Sequence, residues 1–272
     1  MLIIGEKING TRKKVAEAIA ARDAGFIGDL ALRQFEAGAV YLDLNAGTLP
    51  AREPEDLIWL MENAHKAAPE AGLCLDSANP EALAAALDRS GAYPGVKMMI
   101  NSLSGEARRL EGILPLAATH GTELIVLALD DSGIPDTVEG RLEIVRRLVG
   151  LCRERQIPDG HLYIDTLVLT IATDTKAALV TLDTMRAVKA EFPEVHLTCG
   201  HSNISFGLPL RSVFNQAFMA LTLAAGLDSA ISDPEDRSLK AMTLASEALL
   251  NRDRHCLKFN KAYRAGQLGG RN

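Results

Sequence analysis

The chain has 272 residues, of which 47% are hydrophobic and 24% are charged, and its formal net charge is −6. A chain of this length and composition can bury the core of an ordinary globular enzyme. The charges are spread along the sequence without an acidic tail or a long basic block, so the composition gives no support to binding of nucleic acid or of a membrane surface. We therefore expect a small molecule as the partner.

The beginning of the chain does not resemble a secretion signal, because Glu6 interrupts the first apolar stretch. No stretch approaches the ~18 consecutive apolar residues that a membrane helix needs. The cysteines are widely spaced without a CxxC pair, which argues against a zinc ribbon or a redox motif. They are Cys74, Cys152, Cys199 and Cys256. We expect buried thiols in the reducing cytoplasm.

Short β-rich runs alternate with longer amphipathic segments along the chain. The predicted strands are residues 2–9, 41–47, 72–78, 96–102, 124–130, 162–168, 196–205 and 228–233. The predicted helices are residues 28–39, 53–68, 80–90, 106–120, 137–155, 175–192, 210–226 and 238–251. Strict alternation predicts a parallel sheet, and eight such units in about 250 residues match the (β/α)8 TIM barrel.

The sequence contains neither a dinucleotide-binding motif nor a linker that would divide the chain into domains. No GxGxxG sequence follows the first predicted strand, which argues against a doubly wound dinucleotide-binding sheet. No low-complexity linker divides the chain, so we predict a single barrel domain over residues 1–255 and a carboxyl-terminal tail over residues 256–272. The end of this tail, from Phe259, is polar and rich in glycine, and we expect it to fray.

Nearly every predicted strand ends in an acid or an amide. Because the strand ends of a parallel barrel face one mouth, side chains from distant segments can converge there on one ligand. Asp76, Asn101 and Asp165 join buried runs directly, which favours ligand binding over capping. With Asn203, they would suit a flat, nitrogen-rich heterocycle. The other strand-end residues are Glu6, Asn9, Asp43, Asn45 and Ser202, and also Asp130, Asp131 and Asp233, which we interpret as helix caps.

The segment of residues 199–209, CGHSNISFGLP, is the most specific stretch of the chain. Gly200 allows a close backbone approach, and Ser202 and Asn203 offer small hydrogen-bonding groups. His201 fits either an acid–base role or a hydrogen-bonded structural role. Arg211 fits either a surface charge or a contact with an anionic tail of the ligand. The remaining histidines show no HxxxH or HxH spacing, so we predict no metal site.

Several segments resemble, in order and spacing, the pterin-binding methyltransferases. They read LIIGEKINGTRKKV, YLDLNAGT, LCLDSANPEAL, MMINSLSGE, LYIDTLVL and GHSNISFGLPLR. The similarity runs from Met1 to about residue 251. It is greatest to the methyltetrahydrofolate:corrinoid/iron-sulfur-protein methyltransferases and to the methylcorrinoid:tetrahydrofolate methyltransferases of demethylation pathways such as that for glycine betaine. Related domains occur in cobalamin-dependent methionine synthase and in dihydropteroate synthase.

The resemblance implies transfer of a methyl group between N5 of tetrahydrofolate and the cobalt of a corrinoid on another protein. It implies that Asn203 is the catalytic residue near N5 and that Asp76, Asn101 and Asp165 hold the amino-pyrimidine edge of the pterin. The same pocket would be lined by Gly200 and Ser202, with Glu6, Asn9, Asp43 and Asn45 at rim positions and Arg211 near the folate tail. The resemblance also suggests a homodimer.

The corrinoid would come from a separate protein that docks transiently, because the corrinoid-binding signature DxHxxG fails in this chain. The nearest match, at residues 253–258, has Lys258 in place of the glycine. His201 and Phe206 depart from some relatives and favour the direction that produces 5-methyltetrahydrofolate.

Three alternatives stay open. The reaction could run in reverse, as in the acetyl-CoA pathway. The chain could be a dihydropteroate synthase, although residues 9–14 do not look like the first loop of that enzyme. It could also be a folate-binding subunit without enzymatic activity.

Overall fold

The structure is a computed structural model that describes residues 1–268, and the fold is a parallel barrel. Its strands are β1 Leu2–Asn9, β2 Tyr41–Asn45, β3 Gly72–Asp76, β4 Met98–Gly105, β5 Glu123–Asp130, β6 Leu162–Asp165, β7 His196–Thr198 and β8 Ser229–Ser232. They pair in parallel in the order β7-β6-β5-β4-β3-β2-β1-β8. A parallel bridge between Gly200 and Ile231 joins the two ends of this sheet. The predicted TIM barrel is confirmed.

Helices surround the barrel. They are α1 Lys13–Ala21, α2 Ala24–Glu36, α3 Glu53–Ala67, α4 Pro80–Ser90, α5 Ala107–His120, α6 Val138–Glu154, α7 Ala177–Glu191, α8 Arg211–Ala224, α9 Arg237–Leu249 and α10 Leu257–Arg264. Short 3₁₀ turns cover Asp159–His161, His201–Ser205 and Arg254–Cys256. Within residues 1–268 no helix is both long and apolar enough to cross a membrane.

Two predictions about the helices were wrong. The segment between β1 and β2 holds two helices instead of one, because Arg22 takes a left-handed conformation (φ 53°) and Asp23 caps α2 by accepting from the Phe26 amide at 3.0 Å. The tail does not fray at residues 259–264, which lie in α10. The carboxylate of Asp253 accepts from the Lys258 and Phe259 amides, both at 3.0 Å. Residues 269–272 of the predicted tail lie outside the described residues.

The interpretation of three strand-end acids as caps of the next helix was also wrong. Thr137 caps α6 and Asp236 caps α9. Asp131 accepts from the first amide of α5, a helix that precedes it in the chain. The other two acids form ion pairs, Asp130 with Arg147 at 3.0 Å and Asp233 with Lys7 at 3.1 Å.

Burial of the thiols was correctly predicted for three of the four cysteines. Cys74, Cys152 and Cys199 are buried, but Cys256 is exposed. Cys256 is the last residue of the final 3₁₀ turn and directly precedes α10, outside the barrel core. There the apolar environment that buries a thiol inside the barrel is missing.

The barrel interior has an apolar layer with polar groups above it. The layer consists of Ile4, Tyr41, Cys74, Met99, Ile125 and Tyr163. Since successive strand side chains point to opposite faces, the residue two positions further along each strand also points inward. On β2, β3, β4 and β6 these inward-pointing residues are Asp43, Asp76, Asn101 and Asp165. The alternation thus places the predicted polar residues at the carboxyl-terminal mouth.

Arg141 on α6 is fully buried and supports the loop after β6. Its guanidinium donates to the carbonyl oxygens of Pro135 at 2.9 Å, Thr166 at 2.7 Å and Leu167 at 2.8 Å. These contacts give the buried guanidinium the hydrogen-bond acceptors that burial of a charged side chain requires. The helix therefore fixes the backbone that follows Asp165.

Arg141→Met should lower the free energy of unfolding by about 2–4 kcal/mol, because three carbonyl oxygens, including the buried one of Thr166, lose their donor. The matched control is Arg146→Met on the same helix, where the guanidinium pairs with Glu139 and Glu191 at the surface. Surface ion pairs contribute little, so the control should lose much less stability. Urea unfolding measures both variants, and equal losses would contradict the assigned role of Arg141.

Candidate active site at the barrel mouth

One half of the mouth is a network of acids and amides on β2, β3 and β4. The Asn45 amide donates to Asp76 at 2.9 Å, and the Asn101 amide donates to Asp43 at 3.2 Å. The parallel register pairs Asp76 with Asn101. Asn45 is likewise paired with Asn9 on β1. Side chains that lie 58 residues apart in sequence therefore meet in one network.

Burial controls the protonation of these acids. It raises the pKa of Asp43 well above the usual value, and the neighbouring Asp76 carboxylate raises it further. Burial also raises the pKa of Asp76, while the Asn45 amide and the Arg109 charge oppose this shift. Two like charges in one site cannot both ionise freely. Burial and the Asp76 charge therefore favour the neutral form of Asp43, whereas the Asn45 amide and the Arg109 charge favour the carboxylate form of Asp76.

The other half of the mouth is built around Asp165 at the end of β6. Its carboxylate accepts from the Leu167 amide at 2.7 Å. Burial raises the pKa of Asp165 to about 6, although the amides of Leu167 and Gly200 and the charge of Arg141 lower it. Asp165 is thus ionised at neutral pH but close to its titration range. A ligand with two adjacent N–H groups would favour the ionised form.

The loop after β7 carries Asn203 in the 3₁₀ turn, where the side chain is exposed at the mouth. Its backbone amide donates to the Gly200 carbonyl oxygen at 3.2 Å. The side-chain nitrogen lies 3.0 Å from the position that a Cβ of Gly200 would occupy. The backbone of Gly200 has an ordinary φ of −71°, so what the glycine provides is space: a Cβ would press on the end of the Asn203 side chain, which would have to shift. The bare Cα of Gly200 lets the Asn203 amide lie over it.

The remaining predicted site residues lie around this centre. Glu6 is half-buried and accepts from Arg12 at 3.2 Å, and burial raises its pKa. Asn9 accepts from the Thr11 amide and hydroxyl, at 2.9 and 2.7 Å, so its oxygen holds the turn after β1. The Ser202 carbonyl oxygen accepts from Arg211.

Arg211 binds the β7 loop and lies exposed at the start of α8. Its Nη2 donates to the Ser202 carbonyl oxygen at 2.8 Å, and its Nε donates to the Ser205 hydroxyl at 3.1 Å. The side chain therefore stabilises the turn that carries Asn203. A contact of Arg211 with a folate tail stays a prediction.

His201 is fully buried against Phe218, with ring centroids 5.5 Å apart. Burial lowers the pKa of His201 to about 4, so the imidazole is neutral at working pH. In the part of the chain that the structure describes, neither ring nitrogen has a hydrogen-bond partner. These properties oppose an acid–base role, and they also differ from the hydrogen-bonded histidine that was the other expectation.

Two residues of the site region were missed in the sequence. Arg109 on α5 donates to the Ser102 carbonyl oxygen at 2.9 Å, and its charge lowers the pKa of Asp76. The charge of Arg141 lowers the pKa of Asp165. Both lie within helices, where an arginine usually faces solvent, so nothing in the local pattern indicated them. Across residues 1–268 no group of three or more His, Cys, Asp or Glu side chains could hold a metal ion.

A parallel barrel with acids and amides at its carboxyl-terminal mouth is the architecture of an enzyme that binds a polar small molecule. The chain belongs to the family described as pterin binding enzyme, whose sequence profile matches residues 5–233. A methylcorrinoid:tetrahydrofolate methyltransferase of Eubacterium limosum is 40% identical over 271 residues, which cover 99% of this chain and 98% of that protein. The methionine synthase of Mycobacterium leprae is 34% identical over 244 residues, which cover 85% of this chain but 20% of that protein.

Solved structures show the same fold at low sequence identity. The dihydropteroate synthase of Yersinia pestis superposes with a TM-score of 0.63 at 16% identity, covering 92% of this chain and 93% of that one. The dihydropteroate synthase of Coxiella burnetii in complex with pteroic acid has a TM-score of 0.63 at 15% identity, covering 93% and 92%. At this identity the likeness concerns the fold alone.

Asp165→Asn should stabilise the ligand-free protein, because the folded state no longer buries a carboxylate. Asp165 has a pKa of about 6 in the folded protein, above the unfolded value. At pH 8 the gain in the free energy of unfolding should be about 2–3 kcal/mol. It should shrink as the pH falls through 6 towards 4 and vanish near pH 3, about one unit below the unfolded pKa, where aspartate is largely protonated in both states.

Urea unfolding of wild type and Asp165→Asn at the same series of pH values measures this gain. Comparison at each pH cancels the titration of all other groups. A difference that does not change with pH, or a loss of stability at pH 8, would refute the assigned burial cost. Pterin affinity of the variant should fall, because an amide cannot accept two N–H groups as a carboxylate does.

Proposed function

We propose that this protein is a transferase that moves a methyl group between a corrinoid on a separate protein and N5 of tetrahydrofolate. The observation that carries the proposal is the convergence of the acid and amide network, Asp165 and the Asn203 loop on one mouth. The near full-length similarity to a methylcorrinoid:tetrahydrofolate methyltransferase supports this assignment and the direction towards 5-methyltetrahydrofolate.

The donors and acceptors of the mouth fit the amino-pyrimidine edge of a pterin. This edge presents an amino group beside a ring N–H, together with ring acceptors. Asp76 and Asp165 supply carboxylates for the N–H groups, and Asn101 can donate as well as accept. Asp43 accepts from Asn101 at the base of the network, where burial favours its neutral form. We assign Asp76, Asn101 and Asp165 to direct contact with the pterin.

The rim residues support these contacts. Asn45 binds Asp76 and keeps that carboxylate oriented, and Glu6 lies within electrostatic reach of Asp43. Asn9 holds the turn after β1. Gly200 and Ser202 form the backbone around Asn203. In this arrangement the residues on the rim fix the orientation of the residues that touch the pterin, as a preorganised site requires.

Asn203 acts at the nitrogen that gains the methyl group. When bound, the methylcorrinoid supplies a methyl group and retains the electron pair of the broken bond. N5 of tetrahydrofolate contributes its lone pair to the new bond, becomes positively charged and then loses its proton to solvent. The amide oxygen of Asn203 accepts a hydrogen bond from this N–H, which stabilises the developing charge. An amide is not a strong acid, so the contribution is electrostatic and not general acid catalysis.

The corrinoid protein is the second partner in this proposal. No segment of the chain keeps the glycine of the corrinoid-binding signature, and the nearest match has Lys258 there. The mouth itself is formed by loops that a docked protein can reach. We further propose that the protein works as a homodimer in the cytoplasm.

The activity is tested by anaerobic incubation of the protein with methylcobalamin and tetrahydrofolate. We expect 5-methyltetrahydrofolate together with the loss of the methylcobalamin absorbance. An identical mixture with Asp76→Ala should show little product, because the pterin loses a charged acceptor. Absence of product with both free and protein-bound methylcorrinoid would refute the proposal. Formation of dihydropteroate from p-aminobenzoate and a pterin pyrophosphate would support the dihydropteroate synthase alternative instead.

Asn203→Ala should lower kcat by about 100-fold while the tetrahydrofolate Kd changes little, because the lost hydrogen bond acts mainly in the transition state. Gly200→Ala should also lower kcat with little change in the tetrahydrofolate Kd, but by a smaller factor, because its Cβ would displace the Asn203 side chain. The matched control is Gly150→Ala on α6, where a Cβ meets open space. Equal losses of kcat and of folate affinity in Asn203→Ala would favour a binding subunit without methyl transfer.

A further inference from the structure

Four large apolar side chains are exposed within nine consecutive residues after β7. We call Phe206, Leu210, Val213 and Phe214 the β7–α8 patch, and their exposed fractions are 67%, 78%, 59% and 38%. From residue 202 to residue 214 the only charged side chain is Arg211. A group of exposed apolar residues around a polar site commonly marks a surface for another molecule.

Phe206 is held in place by its neighbours. The Thr170 hydroxyl donates to the Phe206 carbonyl oxygen at 2.6 Å. The guanidinium carbon of Arg211 lies 5.9 Å from the centre of the Phe206 ring, while its Nε donates to the Ser205 hydroxyl. An ordered side chain loses less conformational entropy when a partner binds, which increases affinity.

Leu210 is doubly unfavourable in the isolated chain. It precedes α8 in the left-handed conformation, with a φ of 50°, where a bulky residue is strained. Its side chain is also the most exposed of the patch. Neither the backbone nor the core explains a leucine at this position. Strained conformations are concentrated at sites of function, and contact with a partner would explain the leucine.

The patch is continuous with the reacting end of the mouth. The Phe206 amide donates to the Asn203 carbonyl oxygen at 3.1 Å, so both residues belong to one turn. On the proposed function, the methyl group must arrive at N5 beside Asn203. The body that carries it therefore has to cover the loop around Asn203.

We propose that the β7–α8 patch is the docking surface for the protein that carries the methylcorrinoid, with Phe206 and Leu210 as its main contacts. This inference rests on the proposed methyl transfer. The single aromatic ring of a folate tail is too small to cover four side chains that extend from the turn onto the first turn of α8. A second copy of the chain on this surface would obstruct the loop that the methyl donor has to reach.

The test compares two methyl donors with the same enzyme variants. The donors are free methylcobalamin and a methylated corrinoid protein from Eubacterium limosum. Phe206→Ser and Leu210→Asn should each lower kcat/KM for the protein-bound donor by at least about tenfold. Turnover of free methylcobalamin should stay within about twofold, because the pterin site is untouched. Asparagine is chosen at position 210 because it tolerates the left-handed conformation.

The matched control is Leu249→Ser at the end of α9, where the leucine is 88% exposed. It should affect neither donor. The inference would be overturned if the wild type turned over free methylcobalamin and showed no higher kcat/KM with the protein-bound donor. It would also be overturned if Phe206→Ser and Leu210→Asn lost equal activity with both donors. A selective rise in the KM for tetrahydrofolate would assign the patch to the folate tail, and a shift in size-exclusion elution would assign it to a second copy. Failure of wild type with both donors would instead refute the proposed function.

Discussion

The site depends on the cost of placing carboxyl groups at the end of buried strands. Asp43 and Asp165 have lost nearly all contact with water, and burial raises the pKa of both. The barrel compensates for this cost with amides and backbone N–H groups: Asn101 binds Asp43, and the Leu167 amide binds Asp165. These partners compensate only in part, so the mouth retains a demand for hydrogen-bond donors that a ligand with several N–H groups can satisfy.

The mouth combines rigid and accessible parts. The acids stand on strands directly above the apolar layer of the barrel, where packing leaves little freedom. Asn203 instead has an exposed side chain, and it lies on a largely buried 3₁₀ turn that Arg211 ties to the start of α8. On the proposed function, the pterin is held by groups with fixed positions, while Asn203 stays open to a second macromolecule. In this proposal, pterin binding and methyl delivery take place at different elements of the barrel.

The strand-end residues could be predicted because a strand's apolar run and its terminal polar residue are adjacent in sequence. Their pairing could not be predicted, because the partner of Asn45 depends on the stagger of β2 against β3. Arg141 was missed because an arginine within a helix usually faces solvent and two of its carbonyl partners, those of Thr166 and Leu167, belong to a distant loop. The cap of α6 was misplaced at Asp130 and Asp131 because Thr137, a few residues later, competes for the same role.

Gly200 shows how one residue can limit change at another. Its backbone conformation is open to any residue, yet the space that a Cβ would need is next to the Asn203 amide. The residue type at position 200 therefore depends on the residue type at position 203. In a lineage that replaced the asparagine with a smaller side chain, Gly200 could be substituted by a larger residue. In a lineage that kept the asparagine, such a substitution would be accepted less readily. Covariation between these positions would therefore record which relatives still use the amide.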